Sequence, residues 1–371
     1  MPKKIKRELS PFEEKLNNWL AKLSSIPFIQ KIFFLDHLRT MMHASLSLVE
    51  SLEILQKEME NRKFKKIIGQ IKAEVEKGRA LSEVLAEFPK VFPPIYVKMI
   101  AAGEISGKLN ESLEQIVTQM KKSYALSSSI RGAMIYPSVI IIAIVGVGIF
   151  MVTTILPKMM DLFKEFDANL PLATRIIIKV TDFFGNPLNI ALLIAFIAGF
   201  ITAFRMLLQR VPAFRHTIHS ITLRLPIIGQ VIKQINLAMF SLTLSSLLKS
   251  TVPIIDAMDI TADTCSNVLY QNAIHKIAAE IKSGRPLSEL LSEYDNLFPP
   301  MVTEMVMVGE RSGEVDHLLN ELAIFYSDEV EKIMKNFATI IEPIIIIIMG
   351  IAVGGVAVAI IMPMYALVQS V

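Results

Sequence analysis

The chain has a single cysteine, Cys265, in 371 residues. One thiol excludes an internal disulfide, so any large soluble portion is expected in a reducing compartment, with Cys265 as an inert buried thiol. Charge is scarce as well. Charged residues make up 20% of the chain and hydrophobic ones 52%, with a mean hydropathy of +0.49, which excludes an ordinary soluble protein and points to a membrane protein. The formal net charge is only +3, so nucleic acid is not expected as a partner. The opening "MPKKIKRELSPFEEK" is charged throughout and no short apolar stretch with a cleavage site follows, so no signal peptide is expected. Sustained strand alternation is missing too, which leaves helices.

Catalytic signatures are equally absent. "AAGEISGKLNESL" (101–113) looks like a phosphate loop, but only three residues separate Gly103 from Gly107, and Lys108 is followed by Leu109. A nucleotide loop needs four residues between its glycines and a hydroxyl after its lysine for the magnesium ion. No metal-ligand spacing and no nucleophile elbow occurs either, so the expectation is a non-enzymatic protein without cofactor or metal. His216 and His219, beside Arg215 and Arg224, read as a solvated basic face or a lipid-headgroup contact.

Against this background stand three long charge-free runs, at 138–156, 188–204 and 344–371. Each meets the length that crosses a bilayer, about 20 apolar residues. None carries the intramembrane charge that marks an ion or substrate path, which argues against a parallel-repeat transporter. Residues 205–250 hold six basic side chains and no acidic one, whereas 157–187 balance four against four. The positive-inside rule then places the N-terminal part and the region after the second span in the cytoplasm, with 157–187 and the C-terminus outside. Ala191, Ala195, Gly199 and Ala203 recur at every fourth position, and Gly350 with Gly354 forms a second small-residue pair. Such spacing lets helices approach closely, within one chain or at an oligomer seam.

The chain also repeats itself. Placing Gly78 opposite Gly284 sets an offset of 206 residues that holds without a gap from about residue 34 to 159. "GRALSEVLAEFPKVFPP" (78–94) faces "GRPLSELLSEYDNLFPP" (284–300), "GEISG" faces "GERSG", and Pro137 faces Pro343. Each copy is a helical module leading into one span, and the unmatched second span returns the chain between them. The organisation expected is a short extension (1–30), a first module (31–133), a first span (134–157), an external loop (158–187) and a second span (188–208). A basic linker with the second module (209–338), a third span (339–366) and an external tail (367–371) complete it.

Within a module, Gly78 and Gly284 suit the left-handed position after a helix, and Ser82–Glu83 and Ser288–Glu289 a new helix start. Gly103 and Gly107, with Gly309 and Gly313, read as ending one helix and starting the next. Glu104 and Glu310 would pair with a helix dipole or cap its free N–H groups, or bind a partner directly. The second copy keeps the glycines and the acid but has Glu314 for Lys108, which no phosphate site would tolerate. Pro137 and Pro343 read as first-turn prolines, and Glu342 as a charge at the membrane edge.

"G-R-x-L-S-E-x-L", then "F-P-P", then "G-E-x-S-G", then "Y-P" or "E-P" opening a span, in duplicate and with three spans, resembles the type II secretion system F protein and its type IV pilus assembly counterpart (GspF and PilC). The resemblance runs from about residue 30 to the end. It departs in a short N-terminal extension and in Ala44–Ser45, where the family often has a small residue followed by Gly. It implies an all-α membrane protein whose two cytoplasmic modules are six-helix bundles, a platform in the bacterial inner membrane. Implied partners are a hexameric cytoplasmic assembly ATPase, pilin or pseudopilin subunits, other inner-membrane assembly proteins, further copies of itself and the lipid bilayer. A membrane scaffold unrelated to pili shares this architecture, and only the motif match argues against it.

Overall fold

The structure is a computed structural model that describes residues 25–155, 179 and 182–369. Most of the N-terminal extension and of the expected loop at 158–187 lies outside the described residues. The described chain is helix and turn, with no strand.

The first module begins with α1 (Phe28–His43), α2 (Leu48–Glu58) and α3 (Arg62–Glu76). It continues through the short α4 (Leu81–Ala86), α5 (Pro94–Ser106) and the start of α6 (Leu109–Phe150). Then come α7 (Pro187–Arg210) and α8 (Pro212–Arg224). The second module is built by α9 (Ile228–Lys249), α10 (Ile254–Thr264), α11 (Val268–Ile281), α12 (Leu287–Ser292), α13 (Pro300–Ser312) and the start of α14 (Val315–Gln369). Helices α2, α4 and α5 reappear as α10, α12 and α13 at the 206-residue offset, to the residue at both ends. The duplication is therefore structural as well as sequential.

Local sequence explains the boundaries. Ser47 accepts from the Glu50 amide, Asn61 from those of Lys63 and Phe64, and Asn267 from that of Leu269, each relieving free N–H groups at a helix start. Pro94 and Pro300 occupy the first turns of α5 and α13, where a missing N–H costs nothing. Inside the first module Phe34, Phe64 and Phe92 form an aromatic cluster with ring centroids 5.3–6.3 Å apart. Their copies Phe240, Tyr270 and Phe298 do the same in the second, at 5.1 and 5.5 Å. All six are buried. Each such ring contributes about 1.5–3 kcal/mol by burial, with a further 0.5–1.5 per ring pair. The extra hydroxyl of Tyr270 donates to the Leu297 carbonyl at 2.7 Å, so the Phe-to-Tyr change leaves no buried donor unpaired.

The described residues up to Ser127 and Gly229–Asp328 make one compact unit holding both modules; the second unit comprises Ser128–Ile228 and the described residues from Glu329 onward. Its apolar residues face outward: Ile142 is 70% exposed, Phe196 and Ile351 both 71%. Such a surface suits the interior of a bilayer. Helices α6, α7 and α9 are each long and apolar enough to cross a membrane. Helix α9 differs in its packing, because Leu237, Phe240, Leu244 and Leu247 lie in the core of the second module. We therefore assign α9 as a core helix. Residues 344–369 of the third charge-free run instead fall inside α14.

Two expectations are corrected here. Pro137 lies deep inside α6, and Pro343 inside α14, rather than in a first turn. Each removes one i to i−4 hydrogen bond from a helix that continues past it, because the apolar residues on both sides favour helix over a break.

Cys265 is 2% exposed, and burial pushes its thiol up to about 12. The folded full-length protein in detergent should leave it unmodified by a maleimide at mildly alkaline pH, with one thiol per chain appearing on denaturation. Equal labelling rates for folded and denatured protein would contradict this core packing.

Candidate functional site

Helix α4 has six residues and an alanine, Ala80, at its N-cap, so nothing local satisfies its first amide groups. Glu104, on α5, does so from a distance. Its Oε1 accepts from the Leu81 amide at 2.6 Å, and its Oε2 from the Ser82 amide at 3.1 Å and the Ser82 hydroxyl at 2.5 Å. The second module repeats this. Glu310 accepts from the amides of Leu287 at 2.5 Å and Ser288 at 3.2 Å, and from the Ser288 hydroxyl. Charge-assisted bonds to a helix N-terminus are the stronger kind, and the positive end of the helix favours the carboxylate. Three of a carboxylate's four lone-pair positions are used, which leaves Glu104 and Glu310 little capacity as a general base.

The other end of this turn is held by an arginine that the sequence analysis did not single out. Arg79 donates to Glu74 at 3.1 Å and Glu87 at 2.7 Å, and Arg285 to Glu280 at 2.8 Å and Glu293 at 2.5 Å. The carboxylates hold both guanidinium groups above their ordinary range, Glu87 contributing most for Arg79 and Glu293 for Arg285. The signal was present, since Arg follows Gly in both copies of the motif. Beside the second clamp lies an open cleft of about 440 Å³, bordered by Ser288, Glu289, Glu304, Met307 and Arg311.

The glycines divide into two kinds. Gly107 (φ 70°) and Gly313 (φ 77°) sit in the left-handed conformation just past α5 and α13, where a side chain strains the backbone. Gly103 and Gly309 do not end a helix. They lie buried one turn earlier, where the next helix approaches too closely for a Cβ. A methyl at Gly103 would stand 2.3 Å from Ser112 Oγ, and one at Gly309 2.9 Å from Val315 Cα. Their smallness allows α5 against α6, and α13 against α14, across a two-residue turn.

The remaining candidates stand apart from the clamp. Pro137, Glu342 and Pro343 belong to the second unit, and the Glu342 side chain lies outside the described residues. His216 and His219 lie on α8, where burial, aided by Arg215, lowers the His219 pKa. Among the described residues no group of three or more His, Cys, Asp or Glu side chains is placed to hold a metal ion.

A family model described as "Type II secretion system (T2SS), protein F" matches residues 34–157 and again 240–363. The chain belongs to that family. The two matches stand at the same 206-residue offset (34 to 240), so each covers one module and the apolar run after it. The type IV pilus assembly protein PilC of Thermus thermophilus is 36% identical over 335 residues, 90% of this chain and 82% of that one. PilC of Myxococcus xanthus is 32% identical over 91% of this chain and 80% of its own. The type II secretion system protein F of Pseudomonas aeruginosa is 30% identical over 90% of this chain and 81% of its own. Relatives thus come from both kinds of machine.

Glu104→Gln replaces one acceptor by a donor that faces other donors, and should destabilise the full chain by about 2 kcal/mol despite its equal size. Thermal melting in detergent reads this. An unchanged Tm with lost activity in vivo would instead assign Glu104 to partner contact.

Proposed function

We propose that the chain is a polytopic inner-membrane platform of a type IV pilus or type II secretion machine. In this reading it is not an enzyme. It couples a cytoplasmic assembly ATPase to insertion or extraction of pilin or pseudopilin subunits, and it works as a homo-oligomer among other inner-membrane assembly proteins. The N-terminus is cytoplasmic and the C-terminus external. Family membership supports the machine, and the excess of Lys and Arg at 205–249 supports the orientation.

One observation carries the mechanical part. Helices α6 and α14 each begin in a module, two residues past the left-handed glycine, and end in an apolar run. A helix transmits displacement along its axis because every turn is braced by hydrogen bonds. Work done on a module by a cytoplasmic motor then reaches the membrane through the backbone itself, with no catalytic side chain required. Pro137 and Pro343 remove one bond each at equivalent places and set where such a helix bends.

A reporter fused after residue 170 should read the external side, and one near residue 270 the cytoplasm. A cytoplasmic signal at 170 would overturn the orientation. A Gly/Ser insertion beside Pro137 or Pro343 decouples module from span while removing neither. It should abolish surface filaments or secreted substrate, while the protein still inserts and still retains the cognate ATPase in a pull-down. Normal output from these insertions would leave only a passive anchor.

A further inference from the structure

Helices α7 and α8 are separated by one residue, and that residue makes a corner. Val211 is extended, with φ −113° and ψ 98°, and it ends α7 while it starts α8. Pro212 then opens α8 without an N–H of its own. In one straight helix the step from Phe204 to Phe214 would advance about 15 Å. Their ring centroids are instead 5.7 Å apart, packed edge to face. The first turn of α8 therefore stands level with Phe204, the last residue of the charge-free run 188–204. Helix α8 begins where the apolar part of the span ends.

The composition of α8 suits that level. Phe214, Ile218 and Ile221 recur at spacings of four and three, which puts them on one face, and Leu225 and Ile227 extend the apolar stripe past the helix end. Ile221 is 51% exposed, Leu225 41% and Ile227 47%. Ile227 holds φ 67° in a tight turn in which the Ile228 amide donates to the Pro226 carbonyl at 2.7 Å. That conformation is costly for a branched side chain, and it leaves the isoleucine half-exposed. At helical spacing Arg215 and Arg224 fall on the two flanks of the stripe, and His216 on the opposite face. Arg205 and Arg210 precede them on α7, and the chain has no acidic residue between Asp182 and Asp256. The segment supplies no counter-charge of its own. The arginines keep α8 out of hydrocarbon, where a charge is costly, and the apolar stripe is poorly placed in water. The boundary between the two satisfies both.

We propose that α8 lies flat in the bilayer surface and binds anionic phospholipid headgroups. Phe214, Ile218 and Ile221 sink among the upper acyl chains, while Arg205, Arg210, Arg215 and Arg224 take the headgroup phosphates. Interfacial helices of this kind sit with their apolar face about 5–10 Å into the boundary, and anionic lipid strengthens their binding. A guanidinium holds two phosphate oxygens at once from a fixed fork, which suits a headgroup tethered in the plane. His216 faces water. Because one extended residue joins α8 to α7, the lipid contact also fixes the depth and roll of α7. The inference rests on the reading of α7 as a membrane span, and is independent of any coupling to a motor.

The test uses the full-length protein in vesicles of phosphatidylcholine alone or in an equal mixture with phosphatidylglycerol, where buried Cys265 stays unlabelled. A polarity-sensitive fluorophore on Ile221→Cys should report an apolar site and be quenched by a nitroxide near the headgroup end of the lipid chains. On His216→Cys it should report water. Native mass spectrometry of protein released from the mixed vesicles should show phosphatidylglycerol retained in preference to phosphatidylcholine. Arg215→Gln with Arg224→Gln should lower that retention about tenfold or more, since each basic side chain at an anionic surface is worth roughly fivefold. Inorganic phosphate in excess should leave it unchanged. An Ile221 fluorophore that is shielded but unquenched would assign the stripe to a protein partner, and retention displaced by inorganic phosphate would assign the arginines to a free anion. Either result overturns the proposal. Equal retention of both lipids by the unsubstituted protein, or a wetted Ile221 fluorophore in a protein of unchanged Tm, would overturn it as well.

Discussion

The contact between the Glu104 carboxylate and the first amides of α4 is what the rest of each module is arranged around. A helix of six residues cannot persist on its own, because nucleation costs more than so few hydrogen bonds return. It persists here because α5 supplies the missing acceptor from twenty-odd residues away and because Arg79 binds the acids on either side. Fixing α4 in turn fixes the Phe–Pro–Pro corner and brings Phe92 into the aromatic cluster with Phe34 and Phe64. It also sets the level at which Gly107 reverses the chain. Helix α6 therefore starts where it does because a carboxylate and a glycine three residues apart leave it no alternative. The second copy reaches the same result with Glu310 and Gly313.

Much of this was legible in the sequence because duplication turns a pattern into a control experiment. Glu314 in place of Lys108 argues against a phosphate loop, and "G-R-x-L-S-E" marks a helix start. The partner of that start was harder to read, because capping from another helix has no local spacing signal. Arg79 and Arg285 carry no local signal of their partners for a related reason: the acids they share as a pattern lie five and eight residues away across a turn, with Glu289 added for Arg285. Gly103 was misread as a helix end because close approach and chain reversal both favour glycine, and only the neighbouring Ser112 distinguishes them. Helix α9 is long and apolar enough for a span, but Lys233 keeps it out of the charge-free runs, and its packing places it in a core.

What the two copies share and what they have exchanged follow different rules. Shared positions serve contacts and turns within a module: the carboxylate clamp, the arginine, the four left-handed glycines and the aromatic triad, with its single hydroxyl accommodated by the Leu297 carbonyl. Exchanged positions lie on faces, where Gln119 became Phe325, Lys122 became Asp328 and Arg39 became Ser245. A duplicated module must fold in the same way twice but cannot be covered in the same way twice, since one copy packs on the other. Divergence therefore concentrates where the two surroundings differ.

The prolines show the same logic along the helix axis. A proline inside a helix costs about 3 kcal/mol or more, and in lipid the freed carbonyl has no water to turn to. Both copies nevertheless place one at the same register, directly before the charge-free run. At that position the freed carbonyl belongs to the residue one turn earlier, Ala133 in the first copy and Thr339 in the second, on the side of the run where polar residues are still frequent. A hydrogen bond lost there costs less than one lost further along, where no polar neighbour remains. The register is thus the last place at which these helices can be weakened cheaply, and any bend they need is confined to it.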